Sequence, residues 1–174
     1  MFPSSKTHSQ KDQRENDPDS KRHAVAFFEN TFGFVLKTPL KDQRELYKKG
    51  DFIMYDGDTP TLTEVARKRE WENRGEWYSK SFTTVDIEER KNALKAERFI
   101  MFNCTYDTLA MTTVRQIMKY KPEAKHTVIT EGEGFRKVPL NEWQFYRKLK
   151  NGKWEPFVPD MTLPDVQFEI DKNG

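Results

Sequence analysis

The stretch Asp51-Phe52-Ile53-Met54-Tyr55-Asp56-Gly57-Asp58-Thr59-Pro60-Thr61-Leu62-Thr63-Glu64-Val65-Ala66-Arg67-Lys68-Arg69 decides the fold of this chain. A short apolar run meets Asp56-Gly57-Asp58-Thr59-Pro60, a turn composition in which Gly and Pro supply special backbone angles. A second run, Thr61 to Arg69, is β-branched at its start and alternates in character. Two such runs about one tight turn read as a β-hairpin. Facing residues of an antiparallel hairpin lie ~4.5–5.5 Å apart. Pairing Tyr55 with Thr61 puts Asp51 opposite Val65, beside Glu64. A turn one residue shorter puts Asp51 opposite Glu64 itself. Side chains alternate along a strand, so the register decides whether the two carboxylates share a face, and the sequence leaves both registers open.

Outward from the hairpin, Ala24, Val25, Phe27, Phe28 and Phe32 recur at helical spacing, and Gly33 supplies a stop. A short second helix is expected over about Lys41–Lys48, after Pro39. Phe82–Val85 reads as a third strand, Asp86–Lys95 as a charged helix, and Arg98–Cys104 as a buried strand. Leu109–Val114 reads as its partner across a Tyr106-Asp107-Thr108 turn, with a helical stretch at Arg115–Tyr120. Thr127–Ile129 suits a short strand, and Asn141 suits the cap of a final helix through Arg147. The fold class expected is α/β (α+β), a central mixed sheet flanked by helices. Residues 1–20 are polar and expected to be disordered, 21–150 form the folded domain, and 151–174 form an extended C-terminal tail.

Charged residues make up 33% of the 174 and hydrophobic ones 35%, yet the 13 Phe and 4 Trp are enough for a genuine core. No run approaches the ~20 apolar residues of a membrane span, and the first 22 residues lack the apolar stretch of a secretory signal. The single cysteine, Cys104, excludes an internal disulfide framework. These features lead to the expectation of a cytoplasmic protein without a membrane partner. Thirty basic residues against 28 acidic ones give +2, so total charge does not announce nucleic-acid binding, and clustering of the basic groups matters instead.

Two acids and a cation converging on one point suit Mg²⁺, a hard ion that takes oxygen ligands and keeps several waters beside one or two carboxylates. Gly50-Asp51 followed by Thr63-Glu64-Val65-Ala66-Arg67-Lys68 resembles the PD-(D/E)XK nuclease superfamily. Trp71, Thr84–Lys91, Phe99–Asn103 and Glu133–Leu140 look like small phage-type members of it, and the resemblance spans roughly 21–143. It implies a restriction-endonuclease-like core and a Mg²⁺-dependent nuclease, with Mn²⁺ as an alternative. The substrate implied is DNA, cut in phage or bacterial genome processing, recombination or degradation. Asp51 and Glu64 would hold the metal, and a lysine two residues after the second acid would assist. Many nucleases of this kind act as dimers, so a homodimer is compatible.

Ala66 stands where that lysine is expected. Lys68 shares the face of Glu64 but lies four strand steps on, ~13 Å rather than ~6.6 Å. Lys68 is the first choice for the third catalytic group. Lys91 and Lys49 are alternatives, and loss of activity is another, which would leave a nuclease-like binding module or an adaptor. Arg67, Arg69, Arg90 and Lys91 are candidate phosphate contacts, set against the reading that they are solvated faces. Trp71 and Trp77 are either a base-stacking surface or the cover of a core edge, the latter more common. His8, His23 and His126 lack ligand spacing. Cys104, at the end of an apolar strand, is expected to be buried.

Overall fold

In Arg98-Phe99-Ile100-Met101-Phe102 every residue after the arginine is buried, which requires a layer on each side of the strand they form. The structure, a computed structural model, describes residues 18–43, 52–77, 84–88, 96–123 and 134–159. It is an α+β fold. Helix α1 (Pro18–Phe32) and a single helical turn α2 (Leu40–Gln43) precede β1 (Phe52–Asp56) and β2 (Thr59–Arg67). Then come β3 (Thr84–Glu88), β4 (Arg98–Phe102), β5 (Thr108–Thr113), the turn of helix α3 (Val114–Ile117) and β6 (Pro122–Glu123). β7 (Phe135–Pro139), a 3-10 turn (Leu140–Glu142), β8 (Gln144–Lys148) and β9 (Trp154–Phe157) complete the order.

Six strands form the main sheet in the order β1-β2-β4-β5-β8-β9, and β3-β7-β6 form a second, smaller one. All neighbours are antiparallel except β2 and β4, which run parallel with Glu64 beside Phe99. A parallel pair needs a long crossover, and residues 68–97, which include β3, provide it. The main sheet is therefore mixed, as expected.

Alternation sends Ile100 and Phe102 to one side and Phe99 and Met101 to the other. On the first side they join Phe52, Met54, Val65 and Leu109 beneath Ala24, Val25, Phe27 and Phe28 of α1. On the second they join Ala110 and Phe145 beneath Trp71, Trp77, Val85, Ile87 and Val138. One long helix thus covers one face, and the small sheet with the tryptophan segment covers the other. Burying each large apolar side chain is worth about 1.5–3 kcal/mol.

The β1–β2 loop is Gly57-Asp58, with Gly57 at φ +61°, the left-handed angle that a two-residue hairpin takes at its first position. Tyr55 pairs with Pro60, the shorter of the two registers. The outer edge of β1 is occupied. Val35 exchanges two backbone hydrogen bonds with Tyr55, 2.9 and 2.8 Å. The buried Gln43 amide accepts from the Ile53 N–H (2.6 Å) and donates to the Ile53 and Thr38 carbonyls (2.9 and 2.8 Å). Covered in this way, the edge presents few open groups to another chain.

Several expectations are corrected. The proposed helix at Asn141–Arg147 is a 3-10 turn and strand β8, because Phe145 and Tyr146 pack into opposite layers as strand neighbours do. Trp154–Phe157, read as tail, pairs with β8. The helix expected from Asp86 begins instead as the end of β3, which pairs with β7 in the second sheet rather than in the main one. The helix after β5 is Val114–Ile117, capped by Thr113. α1 begins at Pro18, inside the stretch read as polar tail. The remainder of the second helix, residues 89–95 of the charged helix and the strand at Thr127–Ile129 lie outside the described residues.

The β4–β5 turn is built on Asn103, fully buried. Its Oδ1 accepts from the Asp107 and Thr108 N–H groups (3.0 and 3.2 Å), and its Nδ2 donates to Asp107 Oδ1 (2.7 Å). The turn holds Tyr106 at φ +60°, against the His23 ring at 4.1 Å. Burial, with Lys148, Arg22 and Arg67 nearby, lowers the His23 pKa below its ordinary value, and Asp19 opposes this only in part. The unfolded chain therefore takes up the proton first as pH falls, so His23 removes stability on descending through the ordinary histidine range. We predict that urea midpoints of the wild type fall between pH 7.5 and 5.5 more than those of His23→Phe, which keeps a ring on Tyr106 (both pH values about one unit from the ordinary pKa). Asn103→Ala should cost about 2–4 kcal/mol at any pH in the same titrations.

Candidate functional site

β2 carries Glu64 at its centre, 4% exposed. Val65 packs toward α1 and Ala66 toward the second layer, so Glu64 projects with Ala66 on the second side. Lys68 follows the end of β2 and is half-buried. Its N–H donates to the Phe102 carbonyl at 2.8 Å, the last bond of the β2–β4 pairing. Glu64, Lys68 and Arg69 each take part in further polar or electrostatic interactions.

Arg67 belongs to the opposite side. Its guanidinium donates twice to the Cys104 carbonyl, 3.1 and 2.6 Å, and lies over the Tyr106 ring at 5.0 Å. It fastens the end of β2 to the β4–β5 turn while staying exposed. Arg69 is also exposed. Asp51, Arg90 and Lys91 lie outside the described residues. Of the sequence-derived set, the structure places Glu64 on one face of β2 and Arg67 on the other, with Lys68 just past the end of the strand.

Trp71 and Trp77 are not a stacking surface. They are 0% and 4% exposed, meet edge to face at 5.0 Å and pack on Phe145, and the Trp71 indole donates to the Glu76 carbonyl at 2.6 Å. The core-cover reading holds. Cys104, expected to be buried, is half-exposed because the strand ends at Phe102 and the chain turns there.

Among the described residues no group of three or more His, Cys, Asp or Glu side chains is placed to hold a metal ion. Glu64 offers the hard oxygen donor that Mg²⁺ takes, and one or two carboxylates suffice when water fills the other positions. Its burial in a strand fixes that donor in space.

A second region went unnoticed in the sequence. A cavity of about 630 Å³ lies where the ends of α1, β1, β4, β5 and β8 meet, lined by Phe34 and Tyr146 from the α1 layer and by Trp143 from the second layer. Arg98, Asp56, Gln116, Asn141, Gln144 and Tyr146 bring polar groups to it, and Phe32 and Phe34 form an apolar wall. Arg98 is half-buried, its guanidinium 5.1 Å from the Phe34 ring centre and 5.9 Å from that of Phe28. Burial raises the Tyr146 pKa above its ordinary value, and the charge of Arg98 pulls in the other direction. Only the alternation that aims Arg98 and Tyr146 to one side could have pointed to this region, since their partners come from five separate elements.

Compared with family models, with characterised proteins and with solved structures, the chain matches none.

If Trp71 is core, Trp71→Ala should lower stability by about 3–5 kcal/mol in urea unfolding. A change under about 1 kcal/mol would return Trp71 to the surface, where most substitutions have little effect.

Proposed function

We propose that the chain is a Mg²⁺-dependent nuclease hydrolysing DNA phosphodiester bonds, with Mn²⁺ able to replace Mg²⁺. One observation carries the reading. The hairpin takes the Tyr55–Pro60 register, and Glu64 lies buried midway along its second strand. Of the expected acid pair, Glu64 is the member with a fixed place on the hairpin, Asp51 lying outside the described residues. The helix, the hairpin and the strand Arg98–Phe102 follow one another in the order expected from the sequence, while the third strand lies in the second sheet.

Glu64 would hold the ion, with Asp51 as its proposed second carboxylate. When bound, the ion supplies positive charge against the attacking and departing oxygens of the phosphodiester. Lys68, just past the end of β2, is assigned to orient the attacking water and to stabilise the charged phosphate. Arg67 and Arg69, exposed at the end of the strand, with Arg90 and Lys91, are assigned to the phosphate backbone, which basic groups hold without reading sequence. Arg67 performs this with donors other than the two N–H groups given to Cys104.

A second reading has its own observation. Ala66 shares the side of Glu64 at the position where the resembled family carries lysine. A domain that keeps the acids and lacks the near lysine is a nucleic-acid-binding module without turnover. The two readings share the surface and differ in chemistry.

Plasmid, junction and single-stranded DNA incubated with the protein in Mg²⁺ or Mn²⁺ separate them. The nuclease reading expects cutting that EDTA abolishes, that Glu64→Ala lowers by at least about 100-fold, and that Lys68→Ala lowers by at least about 10-fold. Urea midpoints of the variants establish that they are folded. Binding without cutting by the wild type selects the silent module. Neither binding nor cutting refutes both.

A further inference from the structure

The cavity at the end of α1 gathers polar groups against an aromatic wall. Arg98 carries five N–H donors in a planar fork, yet among the described residues its guanidinium makes contact only with aromatic rings, those of Phe34 and Phe28. A half-buried guanidinium set over two rings is positioned before any anion arrives, and its fork suits a phosphate or carboxylate. Close by, the Trp143 indole N–H is buried without an acceptor among the described residues, in a side chain 6% exposed that lines the same cavity. Such a donor ordinarily has a partner.

Gln116 adds a third polar group. Its Oε1 accepts from the Thr113 N–H at 3.3 Å and from the Thr112 and Thr113 hydroxyls at 2.9 and 3.1 Å, which fixes the side chain and leaves its amide nitrogen as the donor end at the cavity. Asn141 supplies another planar amide to the lining, and Phe32, 40% exposed, an aromatic face at the wall. Asp56 lines the cavity with a carboxylate that accepts hydroxyl protons. The other acid there, Glu142, has Lys119 Nζ at 3.6 Å from its Oε2. A volume of about 630 Å³ lies within the range of small-molecule sites.

We propose that this cavity binds a nucleoside monophosphate. Arg98 takes the phosphate, Asp56 the sugar hydroxyls, and Phe32 with the Gln116 and Asn141 amides the flat base with its donors and acceptors. A nucleoside monophosphate asks at once for an anion fork, a hydroxyl acceptor, a ring face and planar amides. The proposal does not rest on the nuclease reading, because neither Glu64 nor Lys68 lines the cavity.

The test is calorimetric titration of the full chain with adenosine and uridine 5′-monophosphates, beside the free nucleosides and inorganic phosphate. At least one monophosphate should bind saturably. Its nucleoside and inorganic phosphate should each bind at least about tenfold more weakly, and Arg98→Gln should cost about tenfold or more. Should Arg98→Gln not fold, NMR of the unmodified chain decides: the Trp143 indole and Gln116 side-chain amide resonances should move with ligand. Absence of binding by either monophosphate up to about 10 mM, weaker than a site of this size warrants, would overturn the proposal. So would shifts that leave Trp143 and Gln116 unmoved, or equal binding by inorganic phosphate alone.

Discussion

The parallel pairing of β2 with β4 is the constraint on which the rest of the molecule depends. It joins the hairpin to the centre of the main sheet, and it can exist only because a long crossover returns the chain in the same direction. That crossover carries Trp71, Trp77 and β3 across one face, while α1 lies on the other. With both faces covered, β4 tolerates an uninterrupted apolar run. Any polar side chain on these two strands must then be provided for by its surroundings. Glu64 and Arg98 are the two ionisable groups placed there inside β2 and β4, short of the exposed end at Arg67.

They face opposite layers. Glu64 projects with Ala66 toward the tryptophan side, and Arg98 projects toward α1 and lies over Phe34. The central strand pair therefore divides the molecule's chemistry in two. One side offers a fixed carboxylate suited to a hard cation, and the other a fixed guanidinium suited to an oxyanion. Each group is held by packing rather than by a mobile loop, which is what a precise site requires.

How much of this the sequence disclosed follows from how local each signal is. The hairpin, β4, β5 and α1 were legible because their apolar periodicity lies within a single segment, and the turn chemistry of Gly57 lies between two of them. The main sheet's last strands were not. Trp143, Phe145 and Tyr146 satisfy a helical as well as an extended period, and only the presence of two layers, with Phe145 in one and Tyr146 in the other, selects the strand. The second sheet was hidden because Val85 pairs with Val138, 53 positions further on, which no local pattern announces. Glu64 stood out through its place in a hairpin. Arg98 did not, since its neighbours Phe34 and Tyr146 reach it only after the chain has folded. The tryptophans were legible in part: an aromatic beside glycine suits a surface lid or, more commonly, a core, and the fold placed them in the core.

The nuclease reading stands on a divalent ion at Glu64, and paramagnetic Mn²⁺ reports that contact directly. In amide NMR spectra, sub-stoichiometric Mn²⁺ should broaden the resonances of Thr63, Glu64, Val65 and Phe99 selectively. The same addition to Glu64→Gln, an isosteric side chain without the charge, should leave them sharp. Broadening centred on any other part of the chain, or identical broadening in the variant, would contradict the account.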